Sequence, residues 1–209
     1  MRAALAAVRG RLRRPTATDV QAVALRVASR AVARILIVGG GCRGRALAGR
    51  LVDERRHAVR ITTRTESGRA AIEAIGAECL IGTPDRLASM RGALDGVTIA
   101  CWMLATAQGD PAQVQALHGS RVESFLSGAV DTTMRGFVYE APKVGVARGA
   151  VLAGERIVRA IAERNAIPMV ALQADAADST VWQTEAWAAI DGLLGGRSDH
   201  TTRYPTVNS

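Results

Sequence analysis

The sequence predicts a doubly wound α/β domain, a parallel six-stranded sheet with helices on both faces. Three observations carry this. From Arg34 onward, six apolar, β-branched runs alternate with stretches of helical character. Those runs are nearly continuous rather than alternating, as parallel strands covered on both faces should be. The glycine-rich stretch "VGGGCRG", residues 38–44, stands at the first strand-to-helix junction.

Element by element, the strands are read as "RILIV" (34–38), "AVRITT" (58–63), "ECLI" (78–81), "VTIACWML" (97–104), "GFVYEA" (136–141) and "PMVAL" (168–172). Helices are expected over "CRGRALAGRLVDE", "ESGRAAIEAI", "DRLASMRGAL", "DPAQVQALHGSRVESFL" and "VARGAVLAGERIVRAIAERN". A last helix, "DSTVWQTEAWAAIDGLLG", closes the domain. Asp85, Asp110 and Asp178 stand where helices would begin, which suits caps or first-turn acids. Strands that alternate with helices in this way are joined by right-handed crossovers. The domain is placed at residues 33–196, after a basic extension (1–32) that is helical or disordered and before a polar, disordered tail (197–209).

Charge separates the extension from the body. Residues 1–30 hold seven arginines against one acid, Asp19, for a net of +6 out of the chain's +8. The body is therefore almost neutral, whereas a nucleic-acid-binding domain carries its basic patch on the folded surface. Nucleic acid is accordingly not an expected partner. The extension is rich in arginine and poor in acids, like an organelle transit peptide. It reads equally as a surface arm or as translated sequence upstream of the true start. Lys143 is the only lysine among 27 basic residues, a bias that suits GC-rich codon usage. Cys42, Cys79 and Cys101 lie far apart without metal-ligand spacing, and no leader or membrane-length apolar run of about 18 residues is seen. A cytoplasmic location is expected.

The glycines define a binding site. Gly39, Gly41 and Gly44 fill a G-x-G-x-x-G pattern, with Cys42 and Arg43 in its variable positions and Ala48 as the small residue four places on. In that pattern the first glycine makes the tight turn, the second admits a diphosphate to the backbone, and the third lets helix pack on sheet. Following a strand and opening a helix, it is a dinucleotide fingerprint and the domain is Rossmann-type. The positive end of the helix then faces the diphosphate. Carboxylates that accept from a ribose 2′-hydroxyl stand at the end of the second strand in NAD-binding folds. Here Thr62, Thr63 and Arg64 occupy that end. Arg64 is suited to a 2′-phosphate, with Arg43 expected to reach the same phosphate or the adenine. NADP is therefore read over NAD. The missing acid also argues against S-adenosylmethionine, and the absence of a covering domain argues against FAD.

With the glycine loop, "IGAECLIGTPDRLASMRGALDGVTIACWMLA" (75–105) resembles the atypical short-chain dehydrogenase/reductases, the NAD(P)-binding group related to epimerases and dehydratases. The resemblance covers residues 34–141 and continues to 195. It implies that Gly82 and Thr83 lie near the adenine, and Leu104, Ala105 and Thr106 near the nicotinamide ribose. Two departures stand out. The chain is too short for the substrate domain of extended members. The Tyr-x-x-x-Lys pair of active members has a counterpart only in "YEAPK", Tyr139 to Lys143. That segment reads as a strand, and Pro142 opposes a helix through it. Tyr139, at the carboxyl end of the fifth strand, remains a candidate acid or substrate ligand, with core packing as its alternative.

Cys42 at the helix start is a candidate for oxidation, or a small residue tolerated in the loop. His57, His118 and His200 share no constellation. Trp182 and Trp187 are read as packing residues, facing the domain or a second copy in a homodimer. The function expected is that of an NADP-binding oxidoreductase on a small, unidentified substrate. The alternative is a cofactor-binding regulator without catalysis.

Overall fold

The computed structural model describes residues 33–39, 41–55, 57–90, 92–142 and 147–195. The extension, Lys143 and the polar tail lie outside the described residues. Six strands, β1 (Arg34–Val38), β2 (Ala58–Thr63), β3 (Glu78–Ile81), β4 (Ile99–Trp102), β5 (Gly136–Glu140) and β6 (Met169–Leu172), form one sheet. Their order is β3-β2-β1-β4-β5-β6, and every pairing is parallel. The doubly wound reading of the sequence is the observed fold.

Successive residues of β1 serve opposite faces. Ile35 and Ile37 join Leu47, Leu51, Trp182 and Ile190 in one core, beneath α1 (Cys42–Arg55) and α6 (Ser179–Gly195). Leu36 and Val38 join Trp102, Phe125, Phe137 and Val158 in the other, beneath α4 (Val122–Ala129) and α5 (Arg148–Arg164). With aromatics at only 3%, aliphatic side chains carry most of this burial. Each large one fully buried contributes about 1.5–3 kcal/mol.

Strand boundaries follow the apolar runs closely, except that β4 is shorter than expected. The Met103 amide still donates to the Val38 carbonyl at 2.9 Å, and the chain then leaves the sheet to line a crevice. The expected helix over 85–94 is instead a single 3-10 turn, Leu87–Met90. Ser89 explains the difference: its hydroxyl accepts from the Thr83 amide and lies within reach of the Thr83 and Arg86 carbonyls. Such side-chain bonds compete with the helical ladder, and Gly92 and Gly96 then take positive φ, at 72° and 67°. Asp85 therefore caps no helix.

Asp110 does cap one, accepting from the Ala112 amide at the start of α3 (Pro111–Ala116). Asp178 accepts from the Val181 amide at 3.0 Å at the start of α6. Between α3 and α4 the helix widens into a π turn, Leu117–Arg121, where Gly119 adopts φ −113° and ψ −110°. The second expected helix is reduced to a 3-10 turn, Glu66–Gly68, and the short α2 (Arg69–Glu73).

Candidate dinucleotide site

The chain leaves β1 toward α1 on one face and leaves β4 toward α3 on the other, so a crevice opens at the carboxyl ends of the two neighbouring strands. In open α/β sheets ligands bind at this switch point. A cavity of about 860 Å³ fills it. Gly39, Gly41, Cys42, Arg43 and Gly44 line its middle, Thr63, Arg64, Gly82, Thr83 and Asp85 one end, and Met103, Leu104 and Thr106 the other.

The three glycines do different work. Gly39 has φ +114°, and a Cβ there would strike the Met103 carbonyl. Its amide donates to Thr62 Oγ1 at 3.2 Å, which pins the loop to β2. A Cβ on Gly44 would strike the Gly39 carbonyl, so this residue allows α1 to sit close against the loop. A Cβ on Gly41 meets nothing within 4 Å. The protein's own packing does not require glycine at that position, and the space is open to a ligand. The first-turn amides of α1, which have no intrahelical acceptor, begin beside it.

Arg64 is exposed at the end of β2 and has no ion-pair partner among the described residues. Arg43 is placed differently from the sequence expectation. Its guanidinium turns away from Arg64, toward the β4–β5 end. There Nη2 donates to Glu140 Oε1 (3.1 Å) and Thr106 Oγ1 (3.0 Å), while the guanidinium carbon lies 5.1 Å from the Trp182 ring centroid. A glycine-loop arginine fully exposed to solvent could have reached a 2′-phosphate. This one is mostly buried and committed to a carboxylate.

Glu140 is the centre of that cluster and completely buried. Oε1 also accepts from the Trp182 indole N–H at 2.8 Å, and Oε2 accepts from the Ala105 amide at 2.9 Å. One carboxylate thus ties together α1, the loop after β4, the end of β5 and α6. Trp182 packs inside its own domain, whereas Trp187 lies half-buried against Arg50 and Arg55. A second cavity of about 1030 Å³ adjoins the first through Arg43, Thr106, Ala107, Gln108 and Val114. Its wall is largely alanine, glycine and proline: Ala105, Gly109, Pro111, Pro142, Ala150 and Ala153 among them.

No protein-family model matches the sequence, and no curated protein matches it. Solved structures do match the fold. UDP-glucose 4-epimerase from Thermotoga maritima, solved with UDP-glucose, superposes with TM-score 0.58 at 15% identity, over 67% of this chain and 54% of that one. UDP-glucose 4-epimerase from Thermus thermophilus, solved with NAD, gives 0.57 at 14%, over 67% and 54%. Triphenylmethane reductase from Citrobacter sp., solved with NADP(H), gives 0.53 at 17%, over 66% and 48%. The chain has a Rossmann-type fold, shared with these epimerases and this reductase. It spans about half the length of each of these structures.

In this Rossmann protein Tyr139 does not face the crevice. It is fully buried on β5, and its hydroxyl lies between His118 Nδ1 (2.7 Å) and the Val151 carbonyl (3.2 Å). It lines neither cavity. The physical reason is strand pleating: Glu140 turns to the crevice cluster, and its neighbour Tyr139 turns under α5. Burial raises the phenol's pKa well above the ordinary tyrosine value, the reverse of what a crevice acid requires. Its sequence partner Lys143 lies outside the described residues. Asp85, read in the sequence as a cap or first-turn acid, lines the crevice, as do Gln113 and Val114, which had no signal in the sequence.

His118 carries a testable pH effect. Burial lowers its pKa from 6.5 to about 4, with the Leu104 carbonyl opposing in part. Below the unfolded value the unfolded chain binds the proton and the folded chain does not, so stability falls as pH falls through this window. Between neutral pH and about pH 5 the loss from this group is about 2 kcal/mol. Urea midpoints at the two pH values measure it, and His118→Asn should flatten most of that slope.

Proposed function

We propose that this protein binds NADP across the crevice and acts as an oxidoreductase on a small, largely apolar substrate held in the adjoining cavity. The observation that carries the reading is Gly41: its open space lies beside the first turn of a 14-residue helix, where a diphosphate finds free amides and the positive end of the helix dipole. Thr63, Arg64, Gly82, Thr83 and Asp85 would then border the adenosine half, and Met103, Leu104 and Thr106 the nicotinamide half. The unpaired Arg64 supports NADP over NAD, because a guanidinium gains more from a phosphate than from a hydroxyl.

Bound NADP would supply a hydride donor or acceptor. The chain's own contribution would be orientation and the exclusion of water by an alanine-rich wall. A second reading, a cofactor-binding regulator, draws support from Tyr139: with that phenol buried, no tyrosine among the described residues reaches either cavity.

Titrating wild type and Arg64→Ala with NADPH and NADH tests the cofactor. Wild type should prefer NADPH, and the variant should lose roughly ten- to one-hundred-fold in NADPH affinity, the value of a charge-assisted bond or two. NADH affinity should not change. Equal affinity of wild type for the two cofactors would overturn the NADP assignment. NADPH consumption with a panel of apolar carbonyl compounds would then separate the oxidoreductase from the regulator.

A further inference from the structure

The pair formed by Arg43 and Glu140 has a consequence for the cofactor's redox state, and it rests on the reading of the crevice as a dinucleotide site. Arg43 lines both cavities where they meet, on the β4–β5 side and away from Arg64. A dinucleotide whose adenosine half lies at Arg64 brings its nicotinamide half to this side. The nicotinamide ring is cationic when oxidised and neutral when reduced. A lone guanidinium at the junction would repel the oxidised ring and spare the reduced one. Glu140, fully buried and 3.1 Å from that guanidinium, cancels the charge. Further contacts hold the carboxylate and the guanidinium in this arrangement. The Trp182 indole N–H and Ala105 amide donate to Glu140, and Arg43 donates to Thr106 and to the Ala176 carbonyl and lies over the Trp182 ring.

We propose that Glu140 is a positioning residue that neutralises Arg43 and so sets the relative affinity of the site for NADP+ and NADPH. The pair makes opposite predictions for its two members. Glu140→Gln leaves the guanidinium uncompensated and should raise the ratio Kd(NADP+)/Kd(NADPH) by about tenfold. Arg43→Met leaves the carboxylate uncompensated and should lower it. The double variant should return close to the wild-type ratio. A tenfold change in that ratio is about 30 mV in the potential of the bound two-electron couple.

Calorimetric titration with NADP+, NADPH and adenosine 2′,5′-bisphosphate makes the test. The bisphosphate carries only the adenosine end, so its affinity should stay within about twofold in all variants and reports an intact fold. Shifts of opposite sign support the proposal. No shift in the ratio, or shifts of the same sign, would overturn it, as would a parallel loss of bisphosphate affinity. If wild type binds the bisphosphate as tightly as NADPH, the nicotinamide half makes no contact at Arg43, and this proposal fails while the cofactor reading stands. If wild type binds none of the three, the cofactor reading fails and this proposal with it. Should Glu140→Gln not fold, the sign of the Arg43→Met shift decides alone.

Discussion

Gly41→Val is expected to abolish dinucleotide binding while leaving the fold intact. The substituted side chain would enter space in which a Cβ meets no protein atom within 4 Å, so neither core feels it. A diphosphate would feel it at once, losing its approach to the first-turn amides of α1. Two or three charge-assisted bonds of about 1.5–3 kcal/mol each are at stake, so affinity for NADPH should fall by more than about one hundred-fold. Thermal unfolding of the unliganded protein should be unchanged, and a titration should show no saturable binding. Gly39→Ala is the contrasting substitution. It meets both a positive φ and the Met103 carbonyl, and should lose stability first and binding as a consequence. A variant of Gly41 that binds NADPH like wild type would sink the assignment of the crevice.

The second large effect lies at Gly154, in the middle of α5. Glycine inside a helix ordinarily costs about 1 kcal/mol relative to alanine, so replacing it should stabilise. Here the sign reverses. A Cβ on Gly154 would strike the His118 carbonyl in the π turn and the Tyr139 hydroxyl. Backbone on one side and a hydrogen-bonded phenol on the other leave no soft neighbour to yield. Gly154→Ala should therefore destabilise by about 2–4 kcal/mol, from overpacking and loss of the Tyr139 bonds. In a domain of this size that lowers the melting temperature by roughly 5–15 °C. Gly192→Ala is the internal control. It lies on α6 with nothing within 4 Å of its Cβ, and should raise stability by up to about 1 kcal/mol. Opposite signs at the two glycines, in the same melting experiment, are the expected result.

The architecture was legible because its signals are local. Strand runs such as "RILIV" and "AVRITT" match β1 and β2 residue for residue, since parallel strands covered on both faces are rich in apolar, β-branched residues. The glycine loop was legible for the same reason, as a turn, an approach and a packing contact compressed into six residues. What the sequence withheld is long-range. Glu140 bonds to Trp182, Ala105 and Arg43, which lie 42, 35 and 97 positions away. No spacing announces such a cluster, and Arg43 accordingly read as a partner of the 2′-phosphate or the adenine. For Tyr139 the sequence allows a crevice ligand or a packing residue, and packing is what the structure shows. Its spacing from the chain's single lysine matches a catalytic pair only in number, and the pleat of β5 sends its ring into the core. At 85–94 helical periodicity was present, but a serine hydroxyl and two glycines outweighed it.

The strand order also bears on how the molecule assembles. Within each half the ladders join near neighbours, as when Arg34 pairs with Ala58 or Ile99 with Gly136. Within the sheet, the ladder between β1 and β4, where Ile35 pairs with Ile99, joins one half to the other, beside the core shared by α1 and α6. It closes a longer stretch of chain than either of those pairings, and closing longer loops costs more entropy and slows folding. The ladder between β1 and β4 is therefore expected to close later than those within each half. The crevice opens on that seam, so a cofactor seated there would bridge the two halves of the sheet and add stability through mass action.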